Sequence, residues 1–460
     1  MHRGETKINR IKIDNKALYK NLASIAIPIA IQGVISATLG LVDNLMVGSL
    51  GEIHLAAVGI ATQIYFIHWM LLYGFTSGSA TFMAQFFGAN DMKNIRKTIG
   101  FAVFVALCIG SIFFIGGTFF SESIIRLFSD DENLIPLASG YIKTAKITFF
   151  FLGFSVPFES ALKATQQTTK PLYISIAVFG TNTILNYVLI FGKLGAPEMG
   201  VNGAALATAI ARALELVLVM VVVFVRKNSL AGPIKDFIGW KKAFAFRIFK
   251  NALPTTANEA LWSMGQAMYV AAFARIGITD YAAYQSAAAI NSIFTYAAFS
   301  VGDAALILIG QKIGERKNDY TYSMAKSLLK IGTIVGIVAG IVLIVMAKPL
   351  VGLFALTELG KQYAIIILLI YGLTMGLNLY NGINVTGVLR GGGDTRFAMF
   401  AECGSVWFIS VPLAFIGAMY LELPIYLVVL LLKSEEIIKA VILTKRFISK
   451  KWLNNVIHGL

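Results

Sequence analysis

Six carboxylates stand inside stretches otherwise apolar enough to lie in lipid: Asp43, Glu159, Glu215, Glu259, Asp303 and Glu402. A charged side chain at the bilayer centre costs about 2.5 to 3.5 kcal/mol on insertion scales, so such a group faces a cavity or a bundle interior. Asp43 lies in "LVDNLMVGSL" (41–50), in the outer part of an apolar run that begins near Asn21. Gly33, Ser36 and Gly40 recur on a related helical face, where neighbouring backbones can approach. A carboxyl group sequestered there can exchange a proton for a sodium ion or for a positively charged solute. The competing reading is a helix-end Asp that reaches headgroup water. Glu215 follows Arg212 by three residues on one helical face, which reads as an internal ion pair. Glu159 and Glu402 fall near helix ends, where snorkelling or capping suffices. In "TNTILNYVLIFG" (181–192), Asn182 and Asn186 are four apart and share a face, ready either to coordinate an ion or to bond a neighbouring helix.

Membrane helices must position these groups. Of 460 residues, 57% are hydrophobic and 14% charged, and the mean hydropathy is +0.74, whereas soluble domains are roughly 25% charged. A helix crosses the hydrocarbon layer with about 20 apolar residues. Twelve stretches qualify, at 22–47, 54–76, 97–120, 134–160, 171–192, 202–225, 248–275, 282–310, 327–347, 361–388, 397–420 and 423–445. The twelfth is interrupted by Lys433, Glu435 and Glu436, and is expected to end early and continue as an amphipathic cytoplasmic helix. The first run outlasts a signal-peptide core and has no small-residue cleavage pattern after it, so it reads as a retained helix. With the N-terminus inside, 31 of the 39 lysines and arginines fall in cytoplasmic segments. That bias places both termini in the cytoplasm of a protein of the cell membrane. The net charge of +15 does not indicate nucleic acid, because the basic residues sit in short connectors rather than on one soluble face. Cys108 and Cys403 lie inside apolar runs and give no disulfide framework.

The longest polar connector, "RKNSLAGPIKDFIGWKK" (226–242), divides the runs six and six. The expected lobes are 1–225 and 248–460, with 226–247 between them. The same punctuation recurs in each half. "AQFFGANDMKNIRKT" (84–98) follows the second run and "GQKIGERKNDYTYSMAKS" (310–327) the eighth; "ALKATQQTTKP" (161–171) follows the fourth and "VLRGGGDTRFA" (388–398) the tenth. Six spans per half is an even number, so both halves enter from one side and are related by an axis along the membrane normal. A cleft between two similar bundles, opening alternately to each side, is the expected consequence.

These motifs carry a resemblance. "PIAIQGVISATLGLVDNLMVGSLGEIHLAAVGI" (28–60), the turn from Gln85 to Gly88, and "VLRGGGDTRFAM" with "WFISVPLA" (388–414) resemble the multidrug and toxic compound extrusion (MATE) family, nearest its bacterial and archaeal DinF-like branch with an amino-lobe cation site. The resemblance covers nearly the whole chain. It implies an all-α polytopic membrane protein with twelve transmembrane helices in two pseudo-symmetric six-helix bundles. The implied activity is export of cationic or amphipathic compounds coupled to inward sodium ions or protons. It assigns Asp43 to the amino-lobe cation site, Thr208 to a polar ligand of that site, and Pro28 to the first-helix proline where that helix bends. Where family members carry an Asn and an Asp on the fifth span, this chain has Asn182 and Asn186, so one fixed negative charge remains and the site suits a monovalent ion or a single proton. Glu259 matches a carboxy-lobe Glu, but the tenth-helix Asp of other members has no counterpart among Asn378, Asn381 and Asn384, which counts against a second cation site. Asp303 is a further candidate, for function or for a gate contact. A compound cavity lined by Met46, Gln63, Phe66, Met268 and Tyr284 would offer polarizable and cation–π surfaces. No cofactor is implied, and no metal beyond a sodium ion at Asp43. The expected partners are small amphipathic or cationic molecules and membrane lipids, with no nucleic acid, for a monomeric chain.

The nearest rival is a lipid-linked sugar flippase, which would place several Arg or Lys in its cavity, whereas only Arg212 reads as intramembrane. A membrane-embedded enzyme finds little support: four scattered His show no metal-ligand spacing, and "RGGGDT" lacks the Gly-Lys-Ser/Thr ending of a phosphate loop. A passive channel lacks a filter signature.

Overall fold

The computed structural model describes residues 14–226, 228–354 and 356–460. Four of the N-terminal basic residues used for orientation, Arg3, Lys7, Arg10 and Lys12, lie outside the described residues, as does Lys227. No strand occurs among the described residues. Spans one to six are Asn15–Gly48, Glu52–Gly88, Met92–Phe119, the pair Leu134–Ala145 and Thr148–Ala164, Thr169–Phe191, and Gly200–Val225. Spans seven to twelve are Lys242–Phe273, Ile278–Gly314, Asn318–Val351, Glu358–Arg390, Thr395–Tyr420, and the pair Ile425–Leu432 and Ser434–Ile448.

Among the described residues nine of these helices, and the fourth span if its two pieces bent by 50° are counted together, are long and apolar enough to cross a membrane. The seventh is more polar and the twelfth is broken at Lys433 into helices of 8 and 15 residues, and they complete two bundles of six. Several helices outrun their apolar stretches because local capping, rather than the lipid boundary, ends them. Asp14 accepts a hydrogen bond from the Ala17 amide at 3.1 Å, Asp91 from Asn94 at 3.0 Å, and Thr357 from Gly360 at 3.1 Å. Pro28 is buried inside the first helix, which runs on without interruption to Gly48.

The repeat seen in the sequence is a repeat of backbone conformation. Asn90 and Arg316, each two residues beyond the glycine of its Gln-x-x-Gly turn, both take positive φ, at 58° and 60°. Gln166 and Gly393 do the same after the fourth and tenth spans, at 60° and 76°. These equivalent turns meet across the two bundles. A Cβ on Gly88 would overlap the carbonyl of Gln311, and a Cβ on Gly314 would overlap that of Gln85. Gln85 donates from Nε2 to the Asn454 carbonyl at 3.0 Å and lies 3.4 Å from that of Gly391, while its Oε1 accepts from the Val456 amide at 2.9 Å. Gln311 donates to the Ala164 carbonyl at 2.9 Å and accepts from Gln166 Nε2. Each glutamine thus reaches from its own half into the turn region of the other.

Packing follows the same exchange. Leu18, Leu22, Ile25 and Ile29 of the first span join a core built mainly from spans eight to twelve, and Phe244, Ile248 and Ala252 of the seventh join the core around Phe82, Phe86 and Ile174. At the opposite end each bundle keeps a core of its own, one around Val47, Ala61, Ile142 and Ala205, the other around Tyr269, Ala287, Leu368 and Val428. The bundles are therefore fused at the end bearing the Gln-x-x-Gly turns and separate towards the end bearing Asp43.

A side chain at either glycine must push the bundles apart there, at about 1–3 kcal/mol for overpacking. In a chain lacking Cys108 and Cys403, a cysteine placed at the fully buried Thr81 should be alkylated about tenfold faster when Gly88→Val is added, since 1.4 kcal/mol is a factor of ten in an equilibrium. Equal alkylation rates would show that this contact does not hold the face closed.

Candidate functional site

Asp43 reaches the fifth span. Asn186, fully buried, donates one N–H of its amide to Asp43 Oδ1 and the other to Asn182 Oδ1 at 3.0 Å. With both N–H groups engaged, its carbonyl oxygen Oδ1 is buried without a partner. A carboxylate beside an orphan amide oxygen is a donor set that suits a hard monovalent cation or a proton, because both offer lone pairs and neither supplies a competing positive charge. Thr208 bonds back to the Ala204 carbonyl of its own helix at 3.0 Å, and buried Tyr141 approaches Thr208 and is an electrostatic neighbour of Asp43. Thr208 therefore gives its hydroxyl hydrogen to its own helix and not to Asp43.

Below Asp43 runs a row of charges. Arg212 pairs with Glu215, whose other oxygen accepts from Ser155 at 3.0 Å, and Arg212 is also an electrostatic neighbour of Asp43. Glu159 does more than cap a helix end: Gln32 of the first span donates to it at 3.3 Å and to Ser175 at 3.0 Å, and Glu215 and Arg212 act on it electrostatically. First, fourth, fifth and sixth spans are thereby tied through side chains that all stand within the amino-terminal bundle.

The carboxy-terminal bundle departs further from the sequence reading. Arg390, counted as a connector charge, is 2% exposed and donates to Glu259 Oε1 at 2.7 Å. It stands 3.8 Å from Glu402 and 3.3 Å from Ser77 Oγ of the second span, whose neighbour Thr81 donates to its carbonyl at 2.8 Å. Glu402 is accordingly part of an interior network, accepting from Asn258 at 2.8 Å, rather than a snorkelling end residue. The reading of Arg212 as the sole intramembrane cation is corrected as well, since the tenth helix continues to Arg390 through the wider π turns of Ile383–Arg390. Glu259 and Glu402, two acids on different spans with no cation assigned, were the available signal for a missing arginine. Asp303 accepts from Tyr73 of the second span at 3.3 Å, a contact between the bundles.

The twelfth span ends early, at Lys433, as its charges suggested, and its amphipathic continuation, Ser434–Ile448, lays Glu436, Lys439, Leu443 and Phe447 against the bundle. Glu436 and Lys439 are buried, 3.5 Å apart, with Glu435 3.6 Å from the same ammonium. Asn381 donates to Glu436 at 2.7 Å and Asn378 at 3.2 Å, so two asparagines in the place of the absent tenth-helix Asp serve an acid of the twelfth span. The i, i+3 and i, i+4 spacing of these charges was the sequence signal for mutual neutralisation. A cavity of about 320 Å³ opens beside them, lined by spans seven, eight, ten, eleven and twelve. Of the five residues named for a compound cavity, Tyr284 lines it; Met268 packs on the adjacent core, Met46 packs on the amino-bundle core, and Gln63 and Phe66 are exposed on the second span.

Two pseudo-symmetric helical bundles, fused at one end and carrying paired charges in their interiors, define a polytopic membrane transporter of the two-lobed type. The chain belongs to the MatE family, whose model matches residues 28–188 and 254–416. It is 24% identical over 439 residues to the uncharacterized transporter YisQ of Bacillus subtilis, covering 94% of this chain and 95% of that one. It is 25% identical over 438 residues to the probable multidrug resistance protein NorM of Thermotoga maritima, covering 94% and 93%. A crystal structure of MATE in complex with MaL6 matches with a TM-score of 0.86 at 19% identity, over 97% of this chain and all of that one. This is an integral membrane protein of a transporter family, not an enzyme.

Removing one partner of a buried ion pair leaves the other uncompensated, at a cost of about 3–5 kcal/mol. Arg390→Met should therefore lower thermal stability in detergent strongly, and the double variant with Glu259→Gln should regain most of the loss. Equal melting temperatures for wild type and Arg390→Met would refute the pairing.

Proposed function

We propose that this chain is a secondary active efflux transporter that exports cationic or amphipathic compounds in exchange for inward sodium ions or protons. The observation that carries this reading is the bond between Asn186 and Asp43, with an unpartnered amide oxygen beside the carboxylate. The names of curated relatives such as NorM support the multidrug part of the reading. The amino-terminal lobe comprises residues 1–225 and the carboxy-terminal lobe 248–460, joined by the 226–247 connector, with both termini in the cytoplasm. On that orientation the face closed by Gln85 and Gln311 is the cytoplasmic one, and the cleft opens outward.

The cycle follows from competition for one carboxylate. In the outward-open arrangement an ion or proton binds Asp43 and draws Asn186, Asn182 and the first span together. This replaces whatever positive charge the exported compound had presented and accompanies its release. Discharge of the ion to the inside leaves the anionic carboxylate free to favour the next compound. Asn182, Asn186 and Thr208 orient the site, while Pro28, lacking an amide N–H, lets the first helix change its course at low cost. Arg390 and Asp303, joining the bundles through Ser77 and Tyr73, are contacts that must re-form on each passage.

The flippase reading gains intramembrane cations in Arg390 and Lys439. Each of them is matched by acids, Glu259 for one and Glu435 with Glu436 for the other, which leaves little net attraction for an anionic headgroup.

Asp43→Asn should abolish ion-driven efflux of a fluorescent organic cation from proteoliposomes while protein yield stays normal. Imposing sodium and proton gradients separately identifies the coupling ion. Unchanged efflux by the variant would end the assignment of Asp43, and gradient-dependent uptake of a lipid-linked sugar in place of the cation would favour the rival.

A further inference from the structure

We infer that the segment following the last helix, residues 449–460, is a latch: it grips both bundles at once, holds the face of the Gln-x-x-Gly turns closed, and lets go of the amino-terminal bundle when that face opens. The inference rests on the reading of this face as the cytoplasmic gate of an alternating-access cycle, and it names the element that sets the closed state.

The segment is anchored in the carboxy-terminal bundle. Ser449 ends the helix Ser434–Ile448, and Lys450 takes positive φ, 56°, which turns the chain back. Trp452 is fully buried, donates from Nε1 to the Phe447 carbonyl at 3.1 Å and stacks on the Phe447 ring, which stacks in turn on Tyr322. The Asn454 amide donates to the Gly392 carbonyl at 2.9 Å, and Asn455 Nδ2 lies 3.5 Å from the Ile313 carbonyl. Two glycines make room: a Cβ on Gly392 would overlap the Trp452 carbonyl oxygen, and one on Gly393 would overlap Val456 Cγ1. The same segment then holds the second span. Gln85 gives an N–H to the Asn454 carbonyl at 3.0 Å and takes one from the Val456 amide at 2.9 Å, while Val456 and Ile457 pack on the core that contains Phe82 and Phe86.

The internal repeat shows what the segment replaces. Gln311, the counterpart of Gln85, is served by the opposite turn alone: it donates to the Ala164 carbonyl at 2.9 Å and accepts from the side chain of Gln166. The equivalent of Gln166 is Gly393, which has no side chain to give. In its place the Val456 amide supplies the N–H, and the Asn454 carbonyl accepts the N–H that the Gly391 carbonyl, equivalent to that of Ala164, meets at 3.4 Å. Half of the seam is thus direct, helix turn to helix turn, and half runs through a separate stretch of chain. That stretch can release from one side. Its hold on the amino-terminal bundle is two hydrogen bonds and two half-buried aliphatic side chains, whereas its hold on the other includes a fully buried indole, so it stays with the carboxy-terminal bundle.

The test reads conformation, with neither substrate nor ion gradient. In full-length protein lacking Cys108 and Cys403, spin labels on cysteines at the exposed positions Lys93 and Asp319 mark the two bundles beside their Gln-x-x-Gly turns, and pulsed double electron resonance measures their separation. The three nearest neighbours of a Cβ on Gly393 are all atoms of Asn454 and Val456, so Gly393→Ala displaces the latch. It should raise the ratio of separated to closed molecules at least about tenfold, the factor that two hydrogen bonds of ordinary net strength supply. Gly393→Gln carries the same Cβ at the same φ of 76° but restores the amide that Gln166 gives Gln311, and should regain most of the closed population. With one label moved to the exposed His458, the distance from Lys93 should lengthen in the separated molecules and that from Asp319 should not. If the Gly393→Ala protein does not fold, Gln85→Leu, which removes the grip from the other side, decides the matter by the same tenfold criterion. An unchanged ratio, equal ratios in the alanine and glutamine variants, or a label at 458 that parts from Asp319 would each overturn the proposal. Persistence of ion-driven efflux in Asp43→Asn would sink the coupling reading and leave the latch standing.

Discussion

Charge in lipid is the constraint on which this structure depends. Each ionised group carried into the membrane interior must find an opposite charge or a hydrogen-bonding partner, because the surrounding hydrocarbon offers neither. The fold meets that demand by gathering the groups from different helices: Arg212 with Glu215, Arg390 with Glu259 and Glu402, Lys439 with Glu435 and Glu436. The pairings do more than neutralise. They specify which helices must be neighbours, since a displaced span would strand its charge. Buried ion pairs are weak contributors to net stability and stronger arbiters of arrangement, and here the arrangement is what a moving transporter has to recover after each cycle.

Duplication supplies the second organising element. The Gln-x-x-Gly turns of the two halves meet as near copies, each glycine making room for the carbonyl of the opposite glutamine and each glutamine bonding the opposite turn region. Two-fold-like contact of this kind is self-complementary, so one short motif used twice makes a complete interface. Its hydrogen bonds are largely to backbone carbonyls, whose positions the helices already hold. Such a seam can open and close as a unit, because its parts are set by rigid helix ends rather than by flexible loops.

Within this symmetric frame the two bundles have diverged in chemistry. The amino-terminal bundle concentrates a lone carboxylate with amides at Asp43, Asn182 and Asn186. The carboxy-terminal bundle has asparagines on its tenth span and matches its acids Glu259, Glu402, Glu435 and Glu436 with Arg390 and Lys439. One half thus sets a carboxylate among amides, and the other holds charges that balance one another.

Much of this was legible in the residues. Twelve apolar runs, their division six and six, the repeated turns and the solitary Asp43 all follow from patterns local to the chain, because hydropathy and helical spacing act over a few turns of one helix. The resemblance carried by 28–60 and 388–414 added the family. What the sequence could not determine was which face of each helix meets which neighbour. Arg390 read as a connector charge because it follows the last apolar residues of its run, yet tertiary packing carries the helix onward and seats the guanidinium between two acids from other spans. Lys433, Glu435 and Glu436 read as a break in the twelfth span, yet the asparagines of the tenth bond Glu436 and seat it in the bundle interior beside Lys439. Pairings between residues on different spans, such as Arg390 with Glu259 or Asn381 with Glu436, depend on where whole helices lie, and no local pattern encodes that; only the assembled bundles decide it.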